Sequence, residues 1–281
     1  MVMKSIRNLK LKNRFFLAPM LEPNDIAFRL LCKKAGCGLT YTGMTSPLSK
    51  KKLILDDKPA VQIFGNSEKG VAEFIKKYDN RVSFWDFNLG CPSKLSKKLS
   101  HGAFLHKDFE TIETILKTMK KSTKKPISIK LRKSPHAIEL ACRTQNLVDA
   151  VGIHPRTFKE GYSGNADYDF ALKLKNAIEI PVIYSGDVNL ENAGKILKDF
   201  DYVFVGRSAI GNPGIFSQLA NKNVSVGFSD YLKLAERYKL FFRQIKYQAI
   251  NFTKGLKNAK FLRRCIINSK TVNDIIKVMK C

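Results

Sequence analysis

Cys91 stands in the stretch FWDFNLGCPSKLSKKLSHGAFL, residues 84–105, where an apolar run from Phe84 to Phe87 climbs to Asn88 and turns. Gly90 and Pro92 flank it and impose an exposed turn, so the thiol belongs at the tip of a strand. Lys94, Lys97 and Lys98 follow closely enough to favour a thiolate, which suits a nucleophile or a proton donor. A buried small hydrophobe is the plain alternative, and it fits Cys32 and Cys142 better than a Gly-Cys-Pro loop. The loop itself reads as a mobile lid.

Lys130 ends the run PISIKLR. An inward lysine on a central strand is costly unless it meets an anion or an electron-rich ring. His154, in VGIHPRT, reads alone as a hydrogen-bonded core histidine; beside Lys130 a ligand contact is the better reading. Two glycine turns, YSGDV and VFVGRSAIGNP, carry Ser185, Gly186 and Asp187, and Gly206 and Arg207. Glycine lets backbone N–H groups reach an anion, and a helix start after each loop adds its positive dipole end, so together they predict a phosphate site.

The elements that must position these groups alternate. Short β-branched or aromatic runs predict strands near Phe15–Ala18, Leu39–Thr42, Ala60–Phe64, Phe84–Asn88, Ile127–Lys130, Ala150–His154, Val182–Ser185 and Tyr202–Val205. Amphipathic segments such as DIAFRLLCKKAG, FETIETILKTMKKS and DYDFALKLKNAI lie between them, the first with Asn24 as N-cap and Gly36 as its stop. Eight strands alternating with helices over about 210 residues is the rhythm of a (β/α)8 TIM barrel. An open doubly wound sheet usually carries G-x-G-x-x-G after its first strand, and LAPMLEPND has none. In a barrel, chemistry belongs at the C-terminal strand ends. There the sequence places Pro19 and Met20, Gly43, Gln62, Asn88 with Cys91, Lys130, His154 and the two glycine turns. After residue 225 the strand signals stop, and three or four helices form a small C-terminal helical domain. The expected division is a barrel over 1–225 and a basic helical domain over 226–281.

The chain has 281 residues, 44% apolar and 26% charged, with a net charge of +26. A polyanionic partner accounts for such an excess, because neutralising phosphates releases counterions. A lysine-rich proteome is the alternative. Against it, residues 221–281 hold fourteen Lys and Arg against three Asp and Glu, a net +11, so charge is concentrated in the tail. The six cysteines form no C-x-x-C pair, which argues against a zinc ribbon or an iron–sulfur centre, and no metal is expected. No apolar run reaches the roughly 18 residues of a membrane span, and the start MVMKSIRNLKLKNR lacks a signal-peptide core. A soluble, cytoplasmic monomer is expected.

Together these residues resemble the tRNA-dihydrouridine synthases, flavin enzymes that reduce uridine in tRNA. VQIFG, DFNLGCP, GAFL, IKLR, IHPRT, YSGDV, VGRSAIGNPGIF and KGLKNAKFLRR match family motifs in family order, from about residue 15 to 267. The resemblance implies FMN held by Pro19, Met20, Gln62, Lys130, His154, Ser185, Gly186, Asp187, Gly206 and Arg207, with NADPH or NADH as reductant. It implies Cys91 as general acid, and Asn88 and Arg156 as contacts to the target base. Hydride would reach C6 of uracil, and the thiol would protonate C5. Three positions depart from the family pattern: Glu22 replaces a glycine, Ser185 an asparagine, and Gly43 a glutamate. A small-substrate FMN oxidoreductase of the dihydroorotate dehydrogenase-like class, or a non-catalytic RNA-binding barrel, remain alternatives; neither requires both the thiol and the basic tail.

Overall fold

The computed structural model describes residues 4–280. Among them the chain runs β1 (Phe15–Leu17), α1 (Ile26–Lys34), β2 (Ala60–Ile63), α2 (Val71–Tyr78), β3 (Phe84–Leu89), α3 (Lys94–Lys98), α4 (Phe109–Ser122), β4 (Ile127–Arg132), α5 (Ala137–Thr144), β5 (Ala150–His154), α6 (Tyr168–Asn176), β6 (Val182–Ser185), α7 (Ala193–Asp199), β7 (Tyr202–Val205) and α8 (Ile215–Leu219). Four helices follow: α9 (Phe228–Arg237), α10 (Phe242–Phe252), α11 (Ala259–Asn268) and α12 (Val272–Lys280).

All strand pairs are parallel, in the order β1-β7-β6-β5-β4-β3-β2. The strand expected at Leu39–Thr42 is reduced to single bridges, Phe16 to Leu39 and Tyr41 to Ala60. Each residue there bonds one neighbour only: Leu17 N donates to Leu39 O at 2.9 Å, and Ala60 N to Thr40 O at 2.8 Å. The segment thus forms no ladder with either neighbour, yet it still links the two edges, β1 and β2, and curls the sheet.

Side chains alternate across each strand, and this places the chemistry. On β3, Trp85, Phe87 and Leu89 join the core beneath the helices, while Phe84, Asp86 and Asn88 point the other way. The inward floor is apolar, built from Phe16, Tyr41, Phe84, Ile183, Tyr202 and Phe204. One level up it turns polar with Gln62, Asp86, Asn88, Ser128 and Lys130, which are paired by register. Gly152 makes room for this layer, since a Cβ there would lie 3.0 Å from Phe204 Cε2 and 3.3 Å from Lys130 Cγ.

Asp25, not Asn24, caps α1: its carboxylate accepts from Phe28 N at 2.9 Å, while Asn24 donates to Tyr41 O. Gly36 ends the helix with φ +109°. Asp25 also ties the tail to the barrel, accepting from Gln248 at 2.8 Å and from Tyr231 at 3.3 Å. Gly211, at φ +73°, sits so close to α10 that a Cβ would lie 1.9 Å from Asn251 O. The C-terminal helices are thus packed against the start of α1 and the loop after β7. The five described cysteines are free, and Cys281 lies outside the described residues. No described helix is long and apolar enough to cross a membrane.

Candidate active site

At the C-terminal strand ends opens a cavity of about 960 Å3. Pro19, Met20, Gln62, Asn88, Cys91, Lys130, His154, Ser185, Gly186, Asp187, Gly206 and Arg207 line it. Residues from all seven strands or their loops therefore meet in one place.

A hydrogen-bond chain rises from its floor to the thiol loop. Asp86 is fully buried and accepts from Ser128 and, at 2.6 Å, from the Gln62 amide. Gln62 Oε1 then accepts from Asn88 Nδ2 at 2.7 Å, and Asn88 Oδ1 accepts from the backbone N–H of Gly90 and Cys91 at 3.2 and 3.0 Å. Each amide keeps one N–H to offer a ligand. Burial pushes the Asp86 carboxyl up to about 7, partly offset by the Ser128 and Gln62 hydrogen bonds and by Lys130.

Cys91 is half-buried, with its carbonyl accepting from Ala103 N at 3.2 Å. The segment expected as a lid folds back as α3 and a short turn, and Gly102 closes it. At φ +63°, a Cβ on Gly102 would stand 2.8 Å from Cys91 O. Lys94, Lys97 and Lys98 point to solvent. The cations that interact with the thiol are instead Lys130 and Arg132.

Lys130 has no hydrogen-bond partner among the described residues, and its ammonium lies 5.7 Å from the Phe204 ring centroid. Burial and then Arg132 pull it down to about 8, against Asp86 and Cys91. His154 is buried, and its Nδ1 has no partner. Burial, then Lys130, Arg132, Arg156 and Arg207, depress it to about 2, so the imidazole is neutral. Between pH 2 and about 6.5 the unfolded chain binds a proton here that the folded chain refuses, so this site's destabilisation grows as pH falls below 6.5. In chemical denaturation at several pH values, His154→Asn is expected to make the acid limb shallower by about 1.4 kcal/mol per pH unit. Parallel acid limbs in parent and variant would show that the ring is not held neutral.

The rim is cationic. Asp187, at φ +52°, accepts from Arg156 at 2.5 Å and from Arg207. Arg156 itself does not line the cavity. It is 1% exposed, with Nε and Nη2 donating to Ser163 O, Gly164 O and Asp187, while Nη1 has no partner among the described residues.

Arg132, Tyr162 and Lys254 are among the lining residues that lay outside the sequence expectations. Arg132 follows Lys130 by two, on the same strand face, and a period-two reading would have found it. Its guanidinium joins the thiol loop, at Gly90 O, to Thr157 O and Gly161 O. Tyr162 lies between Arg132 and Arg207, 5.7 and 5.3 Å from its ring centroid. Lys254 reaches the mouth from the end of α10, and nothing local in the sequence announces it. Gly43 is demanded by backbone packing, for a Cβ would lie 2.8 Å from Met20 O; Met44 lines the cavity beside it.

The family model for dihydrouridine synthases matches residues 16–274. The chain is 30% identical over 235 residues to tRNA-dihydrouridine synthase B of Vibrio vulnificus strain CMCP6, covering 76% of this chain and 73% of that one. It is 32% identical over 241 residues to a probable tRNA-dihydrouridine synthase of Rickettsia bellii strain RML369-C, covering 77% and 73%. Among solved structures, a morphinone reductase mutant in complex with tetrahydroNAD superposes with a TM-score of 0.54 at 12% identity, over 80% of this chain and 92% of that one, a likeness of fold.

Proposed function

The chain belongs to the dihydrouridine synthase family, and on that premise we propose that it reduces uridine in tRNA to 5,6-dihydrouridine with bound FMN and NADPH or NADH as reductant. The observation that carries the reading is the unpartnered Lys130 ammonium beside the neutral, unpartnered His154, at the wall of a cavity of about 960 Å3. Such groups call for a polar or anionic ring that the protein does not itself supply. Gly206 fits the same need. A Cβ there would make only ordinary contacts, 3.5 Å from Ala18 Cβ, so protein packing does not require the glycine, and its absence of side chain leaves space for a phosphate.

In this reading Pro19 and Met20 would pack against the bound ring. Gln62, oriented by Asp86, would offer it the remaining N–H, and Lys130 would stabilise negative charge on it. The Ser185–Gly186–Asp187 and Gly206–Arg207 turns take the phosphate. When bound, the reduced flavin supplies hydride to C6 of the uracil. Cys91 Sγ gives its proton to C5 and regains one from solvent. Asn88 holds the thiol loop and presents its second N–H to the base. The uridine must first leave its stack to enter so enclosed a site.

Residues 39–42 act as the eighth strand of a (β/α)8 barrel spanning 1–225, and residues 226–281 form the RNA-binding helical domain. The chain acts as a cytoplasmic monomer without a metal. The test begins with colour: the purified protein is expected to be yellow and to release flavin on denaturation. Lys130→Ala is expected to lose flavin on gel filtration or to accept electrons from the nicotinamide more slowly. A variant that retains and reduces flavin like the parent would remove Lys130 from its role.

A further inference from the structure

Helix α11 carries an exposed aromatic ring inside a cationic face. Lys260, Phe261 and Arg264 recur at i, i+1 and i+4 and share one side of the helix, Lys257 joins them from the turn that precedes it, and Leu262 and Ile266 bury the other side. Phe261 is 65% exposed. Lys257, Lys260 and Arg264 have neither hydrogen bond nor ion pair among the described residues. With Asn258 these residues enclose an open recess of about 410 Å3.

A single exposed apolar residue needs no explanation, and a cationic face alone is commonly a solvated one. The combination is more specific. Three cations without counter-ions repel one another, and the ring between them adds nothing to the core. A ligand with phosphates and a flat, unpaired base satisfies both at once. The face is also continuous with the catalytic mouth. Lys254 lines that cavity, and only Gly255 and Leu256 separate it from Lys257, at most about 11 Å of chain. The contact of Gly211 with Asn251 fixes α10, and with it Lys254, against the rim.

We infer that this face is a nucleobase-stacking subsite, in which Phe261 receives a second unpaired base of the RNA and Lys257, Lys260 and Arg264 hold its flanking phosphates. The inference rests on the tRNA reading above and deepens it. The active site takes the reacting uridine, and α11 grips a base elsewhere on the same RNA. Removing the ring takes away stacking without removing a charge, whereas removing a cation lowers the number of phosphates neutralised. The two kinds of substitution therefore leave different signatures.

The test exploits the protein's one tryptophan, Trp85, which is fully buried in the core. Phe261→Trp adds an indole whose emission reports on α11. With an unmodified tRNA transcript, its emission is expected to be quenched saturably, at the dissociation constant measured by polarisation of labelled tRNA. Phe261→Ala is expected to weaken tRNA binding about tenfold with an unchanged salt slope, and Phe261→Tyr to bind like the parent. Lys257→Gln, Lys260→Gln and Arg264→Gln should each reduce the slope by roughly 0.7 to 0.9. If all variants bind tRNA alike and the emission does not move, the subsite is wrong while the proposed activity stands. If the parent binds no tRNA, the activity falls as well. If the emission changes with protein concentration in the absence of RNA, the face joins copies of this chain, and the inference is overturned.

Discussion

Cys91→Ala is expected to accept electrons from the nicotinamide at near the parent rate and to pass them to tRNA about 100-fold or more slowly. The magnitude is that of a typical general acid. The selectivity follows from geometry. Cys91 lies on the loop above the polar layer, while the groups assigned to the flavin, Gln62, Lys130 and His154, belong to strands and keep their positions when the thiol is removed. The loop should survive too, because it is held by backbone bonds, Cys91 N to Asn88 Oδ1 and Ala103 N to Cys91 O. Stopped-flow absorbance separates the two half-reactions. A variant slowed only in flavin reduction would put Cys91 on the wrong half of the cycle, and unchanged re-oxidation by tRNA would leave it a packing residue.

Gly211→Val is expected to pry the C-terminal helices from the barrel. The left-handed backbone costs any residue with a side chain about 1 to 2 kcal/mol. Overpacking adds about 1 to 3 kcal/mol, and a Cβ 1.9 Å from Asn251 O leaves no way to escape by a side-chain rotation. Strain of that size can be relieved only by moving α10, which carries Lys254 out of the mouth. Flavin reduction should persist, while the KM for tRNA rises at least tenfold and proteolysis between α8 and α9 accelerates. A variant with parental stability and parental KM would mean that the docking of the tail does not matter to RNA binding.

How far the site could be read from sequence depended on whether its signals were local. Lys130 and His154 stand out because they are polar residues in otherwise buried strands. Cys91 stands out because glycine and proline fix its turn. Arg132 carried the same strand-face signal as Lys130 and was overlooked only because the strand was ended too early. Arg156 was legible as a cation near the site, but its partners Gly164 O and Asp187 are brought together only by folding. Lys254 lies 44 residues from Ile210, the nearest other lining residue in the chain, so only tertiary packing could place it. The strands were legible wherever a run could form a ladder with at least one neighbour. Leu39–Thr42 has the composition of a strand but meets each neighbour at one residue. The switch from Asn24 to Asp25 as cap is a choice between adjacent side chains of equal propensity, decided because Tyr41 O takes the Asn24 amide.

The central claim is that flavin bound in this cavity reduces a uridine in tRNA. Its most direct test is a single turnover without oxygen, mixing protein reduced by a stoichiometric nicotinamide with unmodified tRNA transcript. The account predicts that flavin absorbance returns in step with the formation of one dihydrouridine per flavin re-oxidised. Flavin that stays reduced with tRNA, yet is re-oxidised by a small unsaturated acid such as a pyrimidine carboxylate, would contradict it.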